Sequence, residues 1–210
     1  MLRRFGSARE ALDALPRLAR RGERAKTVTA VTRAEGEAEL AAPNRAGARL
    51  VCWGEPGYPS ALAAIEDAPP ILTVLGQAQL LQQPMIAVVG ARNASANGRR
   101  LARDLAAELG LGGLVVISGL ARGIDAAAHL GALETGSVAV VAGGADVVYP
   151  AENRGLYDAL ARQGAIVAEL PLGTDQQTAG IGHNVSLAPF DLLARIVASR
   201  PAASRACSSK

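Results

Sequence analysis

Histidine, cysteine and aromatic side chains are all scarce in this chain: 2 His, 2 Cys and 3% aromatics in 210 residues. Cys52 sits in an apolar run and Cys207 near the end of the chain. That separation gives neither a metal-ligand spacing nor a disulfide framework, so no metal site and no redox chemistry are expected. His129 and His183 stand without a G-x-S-x-G elbow, which excludes the usual Ser-His-Asp hydrolase. The two common nucleotide fingerprints are missing as well: no G-x-G-x-x-G opens a helix and no G-x-x-x-x-G-K-[ST] is present, so neither a typical NAD site nor a P-loop is expected. Apolar runs fall short of the ~18 to 20 residues of a membrane span, and the opening MLRRFGSARE leads into no signal-peptide h-region. A soluble, cytoplasmic protein without a cofactor is the expectation.

What is present is apolar and small. Half of the residues are hydrophobic, mostly Ala, Leu and Val. The net charge is +3, and residues 1 to 49 hold 11 basic and 6 acidic side chains. A basic excess of this size does not by itself distinguish a nucleic-acid partner from a solvated basic face.

Along the chain, residues 7–20 carry Ser7 as an N-cap, Glu10 three residues later, and Leu12, Leu15 and Leu18 at helical spacing, interrupted by Pro16. A second short helix is expected over 34–40, and a strand over 47–53 follows a boundary near Ala46. Three segments result: a helical 1–46, a main domain 47–174 and a tail 175–210. The main domain opens with a lead-in, helical over 61–66 and extended over 71–75. It continues as strand 85–89, helix 98–109, strand 114–118, helix 123–134, strand 137–142, helix 152–162 and strand 165–169. Strands that are apolar throughout are covered on both faces, and their alternation with helices predicts an α/β, Rossmann-like, doubly wound, mostly parallel sheet. Helix 98–109 is expected to pack Leu101, Leu105 and Leu109 on the sheet, with Arg99, Arg100, Arg103, Asp104 and Glu108 outward. The tail holds one helical stretch, about 190–198.

Ligands of such sheets bind beyond the carboxyl ends of the strands, which here are followed by turns at 90–98, 119–125, 143–149 and 171–173. The first turn, GARNASANG, combines Gly90 with the donors Arg92, Asn93, Ser95 and Asn97 ahead of a helix N-terminus, where free N–H groups favour an anion. Arg99 and Arg100 lie at the unfavourable end of that dipole, a cost of ~0.3 to 1 kcal/mol each that a bound phosphate would reverse. Screened, exposed arginines are the alternative. In the second turn, SGLARGID, Ser118 and Gly119 end a strand, Arg122 is the natural cation and Gly123 starts a helix. Asp125 reads as a helix cap and His129 as a packed or surface residue rather than as catalytic groups.

The blocks GARNASANGRR, VVISGLARGIDAAAHLGALETG, VAVVAGGADVVYPAENRGLYDAL and GAIVAELPLGT, in this order and spacing, closely resemble the DNA-processing protein A family (DprA, also called Smf). The resemblance covers residues 47–174, with a weaker echo in 2–40. It implies an extended Rossmann-like fold that binds single-stranded DNA without catalysis and hands it to a RecA-type recombinase in natural transformation. Carried over by position, Gly90, Arg92, Asn93, Ser95, Gly98, Ser118, Gly119, Arg122, Gly123 and Asp125 would form the DNA pocket. Arg92 and Arg122 would hold phosphates, with Ser95 and the Gly119 backbone adding hydrogen bonds.

After LPLGT this chain departs from the family. A basic F-P-x-R-N-R-like segment and further strands, which bear much of the DNA contact and the homodimer and recombinase surfaces, are replaced by DQQTAGIGHNVSLAPFDLL. The sheet is therefore expected to be incomplete on its C-terminal side, the protein to be a shortened or frame-shifted, partly inactive remnant, and the bared apolar edge or face to be an aggregation site unless the helix near Leu192–Val197 covers it. Few aromatics also limit base stacking, which contributes roughly 1 to 3 kcal/mol per base in single-strand binders. The alternative is an enzyme resembling the phosphoribohydrolases that cleave nucleotide monophosphates. Its P-G-G-x-G-T-x-x-E block is absent, and Glu152 is the sole candidate acid.

Overall fold

A computed structural model describes residues 5–6, 9–10, 12–14, 31–175, 193 and 196. The chain divides into two compact units, Met1–Ala41 and Ala42–Lys210. In the first, residues 9–10 and 12–14 are helical; Leu12 is exposed and Ala14 buried. Ser7, Leu15, Pro16 and Leu18, expected to shape this helix, lie outside the described residues.

Helix α1 spans Arg33–Arg45, longer at both ends than expected. Its start is a capping box: the Glu35 carboxylate accepts from the Thr32 backbone N–H at 2.7 Å, and the Glu35 N–H donates to Thr32 Oγ1 at 3.3 Å. The bonds that the Glu35 carboxylate accepts from the Thr32 N–H and, at 2.8 Å, from the Thr32 hydroxyl hold it below its usual pKa.

The second unit is built on six strands: β1 (Ala48–Cys52), β2 (Ile71–Gly76), β3 (Met85–Ala87), β4 (Val115–Ser118), β5 (Ser137–Val140) and β6 (Ala165–Ala168), in the spatial order β1-β2-β6-β5-β4-β3. β3 to β6 are parallel, while β1 and β2 are antiparallel additions beside β6. The short α2 (Ser60–Ala63) lies in the lead-in, and α3 (Ala96–Leu111), α4 (Ile124–Ala132) and α5 (Arg154–Gln163) link the parallel strands. No helix among the described residues is long and apolar enough to cross a membrane.

Because side chains alternate along a strand, each strand divides its residues between two layers. Val116, Ala139, Ile166 and Ala168 meet the helices through Ala106, Ala128, Ala132, Tyr157 and Leu160. Consecutive order in the parallel strands puts all three crossover helices on this one face. Val115, Ile117, Val138, Val140 and Val167 face the other way, where Tyr58, Leu62 and Leu81 from the lead-in cover them, together with Leu193 and Ile196 from the tail. Leu193 and Ile196 are helical and each only 3% exposed, so the tail does contribute to covering the face left without crossover helices. Tyr58 anchors the lead-in by donating its hydroxyl to the Pro69 carbonyl at 2.6 Å.

The face of α3 corrects one expectation. Leu101 is 68% and Leu105 49% exposed, while Ala102, Ala106 and Gly110 are buried and Leu109 is partly buried. Small residues on this stripe let α4 approach closely. A Cβ at Gly131 of α4 would strike the Arg103 carbonyl of α3, and one at Gly110 would run into Thr135 just past the end of α4. Close approach of two helices outweighs the hydrophobicity of the leucines beside the contact.

Candidate nucleic-acid interface

The turns after β3 and β4 form one body, and Asp125 is its centre. Its side chain is fully buried and accepts from the Gly90 N–H at 3.4 Å and the Gly119 N–H at 3.2 Å. Burial pushes the Asp125 carboxyl above its usual pKa, opposed by hydrogen bonds from the backbone of Gly90, Ala121 and Gly119. Asp125 thus holds two loops together from within. The Gly119 N–H, expected to point at a phosphate, is engaged by this carboxylate.

Around it the chain leaves no room for other side chains. Gly123 has φ +77°, and a Cβ there would strike the carbonyls of Ala91 and Arg92; a Cβ at Gly90 would lie 2.7 Å from the Ile124 side chain. Ser118 donates its hydroxyl to the Val88 carbonyl at 2.7 Å, adding a further tie between the two strand ends. Ser95 caps α3 by accepting from the Gly98 N–H at 3.1 Å. The Arg99 guanidinium folds back onto the Ala94 carbonyl at 2.7 Å, which partly satisfies a cation placed at the positive end of the helix. Arg92, Asn93, Asn97, Arg100 and Arg122 are exposed along the rim.

The later turns join the same rim. Asn153 donates from Nδ2 to the Leu120 carbonyl at 2.9 Å and the Ala121 carbonyl at 3.4 Å. Leu120 is buried with φ +56°, a left-handed conformation that costs a non-glycine residue roughly 1 to 2 kcal/mol, so these bonds fasten a strained link. Arg122 Nε lies 2.6 Å from Glu152 Oε1. Beyond it, Asp146 Oδ1 accepts from the Gly173 N–H at 2.8 Å, and the Tyr157 hydroxyl donates to the Ala145 carbonyl at 2.6 Å.

All ten residues expected at the site therefore gather at the carboxyl ends of β3 and β4 or open the helices that follow. They sort into those bonded inward (Gly90, Ser118, Gly119, Asp125), those shaping the turns (Gly98, Gly123, and Ser95 as a cap) and those on the surface (Arg92, Asn93, Arg122). Asn153 and Asp146 were not foreseen, although the YPAENR block carried the first. Glu152, the acid of the nucleotide-cleaving alternative, is exposed and paired with Arg122.

His129 is a packed residue, one of the two readings its position allowed. It is fully buried one turn along α4 from Asp125, with Nδ1 2.8 Å from Ser137 Oγ, and Ser137 donates onward to the Val116 carbonyl at 3.3 Å. The chain of bonds is satisfied when Nδ1 carries the proton, leaving Nε2 as a bare buried acceptor. Burial brings its pKa down to about 3, so the ring is neutral. A cavity of about 370 Å³ lined by Gln77, Leu80, Thr135, Gly136 and Gln163 opens at the opposite, amino ends of the strands, away from the four turns.

Residues 49–181 match the model of DNA recombination-mediator protein A, and residues 1–42 match the DprA-like N-terminal HHH domain. The chain is 40% identical over 114 residues to the DNA processing protein DprA of Streptococcus pneumoniae, covering 53% of this chain and 40% of that protein. It is similar to the X-ray structure of the S. pneumoniae protein, with TM-score 0.66 and 30% identity over 80% of this chain and 55% of that one. A second similar structure is Helicobacter pylori DNA processing protein A, described for its single-stranded DNA binding mode, with TM-score 0.61 and 25% identity over 70% of this chain and 65% of that one. The chain spans less than half the length of the curated relatives it matches, 48% of the Bacillus subtilis DprA for example. The family match extends over more than half of the chain, from β1 past β6, and so the chain belongs to the DNA recombination-mediator protein A family, known also as DprA or Smf.

Proposed function

We propose that this protein binds single-stranded DNA without catalysis, through the rim formed by the turns after β3 and β4. The carrying observation is that Asp125 fixes both turns from inside, so that Arg92, Asn93 and Arg122 are displayed on a scaffold whose shape does not depend on a ligand. Preorganised cations beside a helix N-terminus suit a phosphate chain. Of the groups that could move a proton at this place, Asp125 is buried and hydrogen-bonded, His129 is buried and neutral, and Glu152 is paired with Arg122, which favours binding over chemistry.

In this reading residues 47–174 are the DNA-binding domain, 1–46 a partial helical domain and 175–210 a divergent tail. Delivery of the strand to a RecA-type recombinase in the cytoplasm, and assembly as a homodimer, are proposed on family membership alone. Titrating a fluorescent oligonucleotide at several salt concentrations tests the core of the reading. Affinity falls steeply with salt, and Arg92→Ala weakens binding alike for all base sequences, with the log–log salt slope shallower by about 0.7, the contribution of one phosphate contact on a single strand. Binding that is indifferent to salt, or that depends on base sequence, is incompatible with the proposal.

A further inference from the structure

The third turn places an acid on the cation of the second. Residues Ala151–Asn153 form one turn of 3₁₀ helix, and within it Asn153 is bonded to the carbonyls of Leu120 and Ala121, the two residues before Arg122. The neighbouring carboxylate of Glu152 is thereby delivered to the Arg122 guanidinium, 2.6 Å from Nε, on a fastened loop. Both side chains are about half exposed, a setting in which an ion pair is weak and exchangeable. A carboxylate and a phosphate make the same charge-assisted demand on a guanidinium.

Resting on the reading that this rim binds single-stranded DNA, we propose that Glu152 occupies Arg122 as an internal stand-in for a backbone phosphate, and that the DNA strand binds by displacing it. The displaced carboxylate stays beside the strand because Asn153 holds its loop, and it repels the phosphate that replaced it. Glu152 in this way sets a ceiling on affinity and keeps the rim closed to weakly held anions.

A double-mutant cycle on the full chain, read by fluorescence anisotropy with an oligo-dT strand, tests this. Glu152→Gln is expected to bind about fivefold more tightly than wild type at low salt, the upper reach of an exposed pair. In the Arg122→Ala background the gain from Glu152→Gln falls below about twofold. Thermal melts verify that each variant folds, and Arg122→Gln replaces Arg122→Ala if the latter does not. Wild-type binding that Glu152→Gln leaves unchanged or weakens overturns the displacement alone, as does a fivefold gain that survives without Arg122. Absence of salt-dependent binding by both wild type and Glu152→Gln overturns the single-strand reading and the displacement with it.

Discussion

Two carboxylates join the turns of this rim, and they do so by opposite means. Asp125 is buried, holds backbone N–H groups from both loops, and its ionisation is opposed by its surroundings. Glu152 is exposed and meets a single arginine. The first makes shape and the second adjusts charge. A buried acceptor is costly to remove because the donors around it remain unsatisfied, whereas an exposed ion pair contributes little to stability. The difference in burial therefore separates what the rim needs in order to fold from what, in the proposed function, tunes its binding.

The largest effect that would break this comparison is on stability. Asp125→Ala is expected to cost about 3 kcal/mol in urea denaturation, since two or more backbone donors lose their acceptor. Glu152→Ala is expected to change it by less than about 0.5 kcal/mol. Similar values for both would show that burial does not divide their roles.

One helical turn from Asp125, His129 gives a pH signature. Its folded pKa of about 3 lies below the ordinary imidazole value of 6.5, so the stability it contributes is complete above pH 6.5 and is lost as the pH falls toward 3. Between pH 6.5 and 5 the loss is about 2 kcal/mol, at 1.36 kcal/mol per pKa unit, and it disappears in His129→Gln. The raised pKa of Asp125 acts with the opposite sign: that contribution is present below the unfolded carboxylate pKa and lost as the pH rises through the folded one. Denaturation midpoints of wild type and variant across this range separate the two.

Ser95→Ala removes the cap of α3 and is expected to cost about 1 kcal/mol, read from the same curves. Smallest of all, Leu105→Glu on the exposed side of α3 changes stability by less than about 0.5 kcal/mol. A large loss there would restore the leucine stripe as the packing face.

The strands were legible because runs such as VVIS and AIVA have no polar face, and the start of α4 because Gly123 supplies the positive φ that the turn before it needs. The ten rim residues were legible as a group because the carboxyl ends of parallel strands bring successive turns together. What stayed hidden were the partners. Nothing local says that the Gly90 N–H is taken by a carboxylate 35 residues away, or that Arg122 meets Glu152 thirty residues on. The face of α3 misled for a related reason. Hydrophobicity favours leucine, but the contact with α4 is governed by how closely two backbones approach, which only the neighbouring helix reveals.

The family match ends at residue 181, yet Leu193 and Ile196 are buried in the layer that covers Leu72, Val74, Val140 and Val167. Kinship and packing thus draw the end of this protein in different places. A stop codon after Thr174 would spare every residue of the rim and still bare an aliphatic sheet face. Such a fragment is expected to aggregate and to be degraded faster than the full chain.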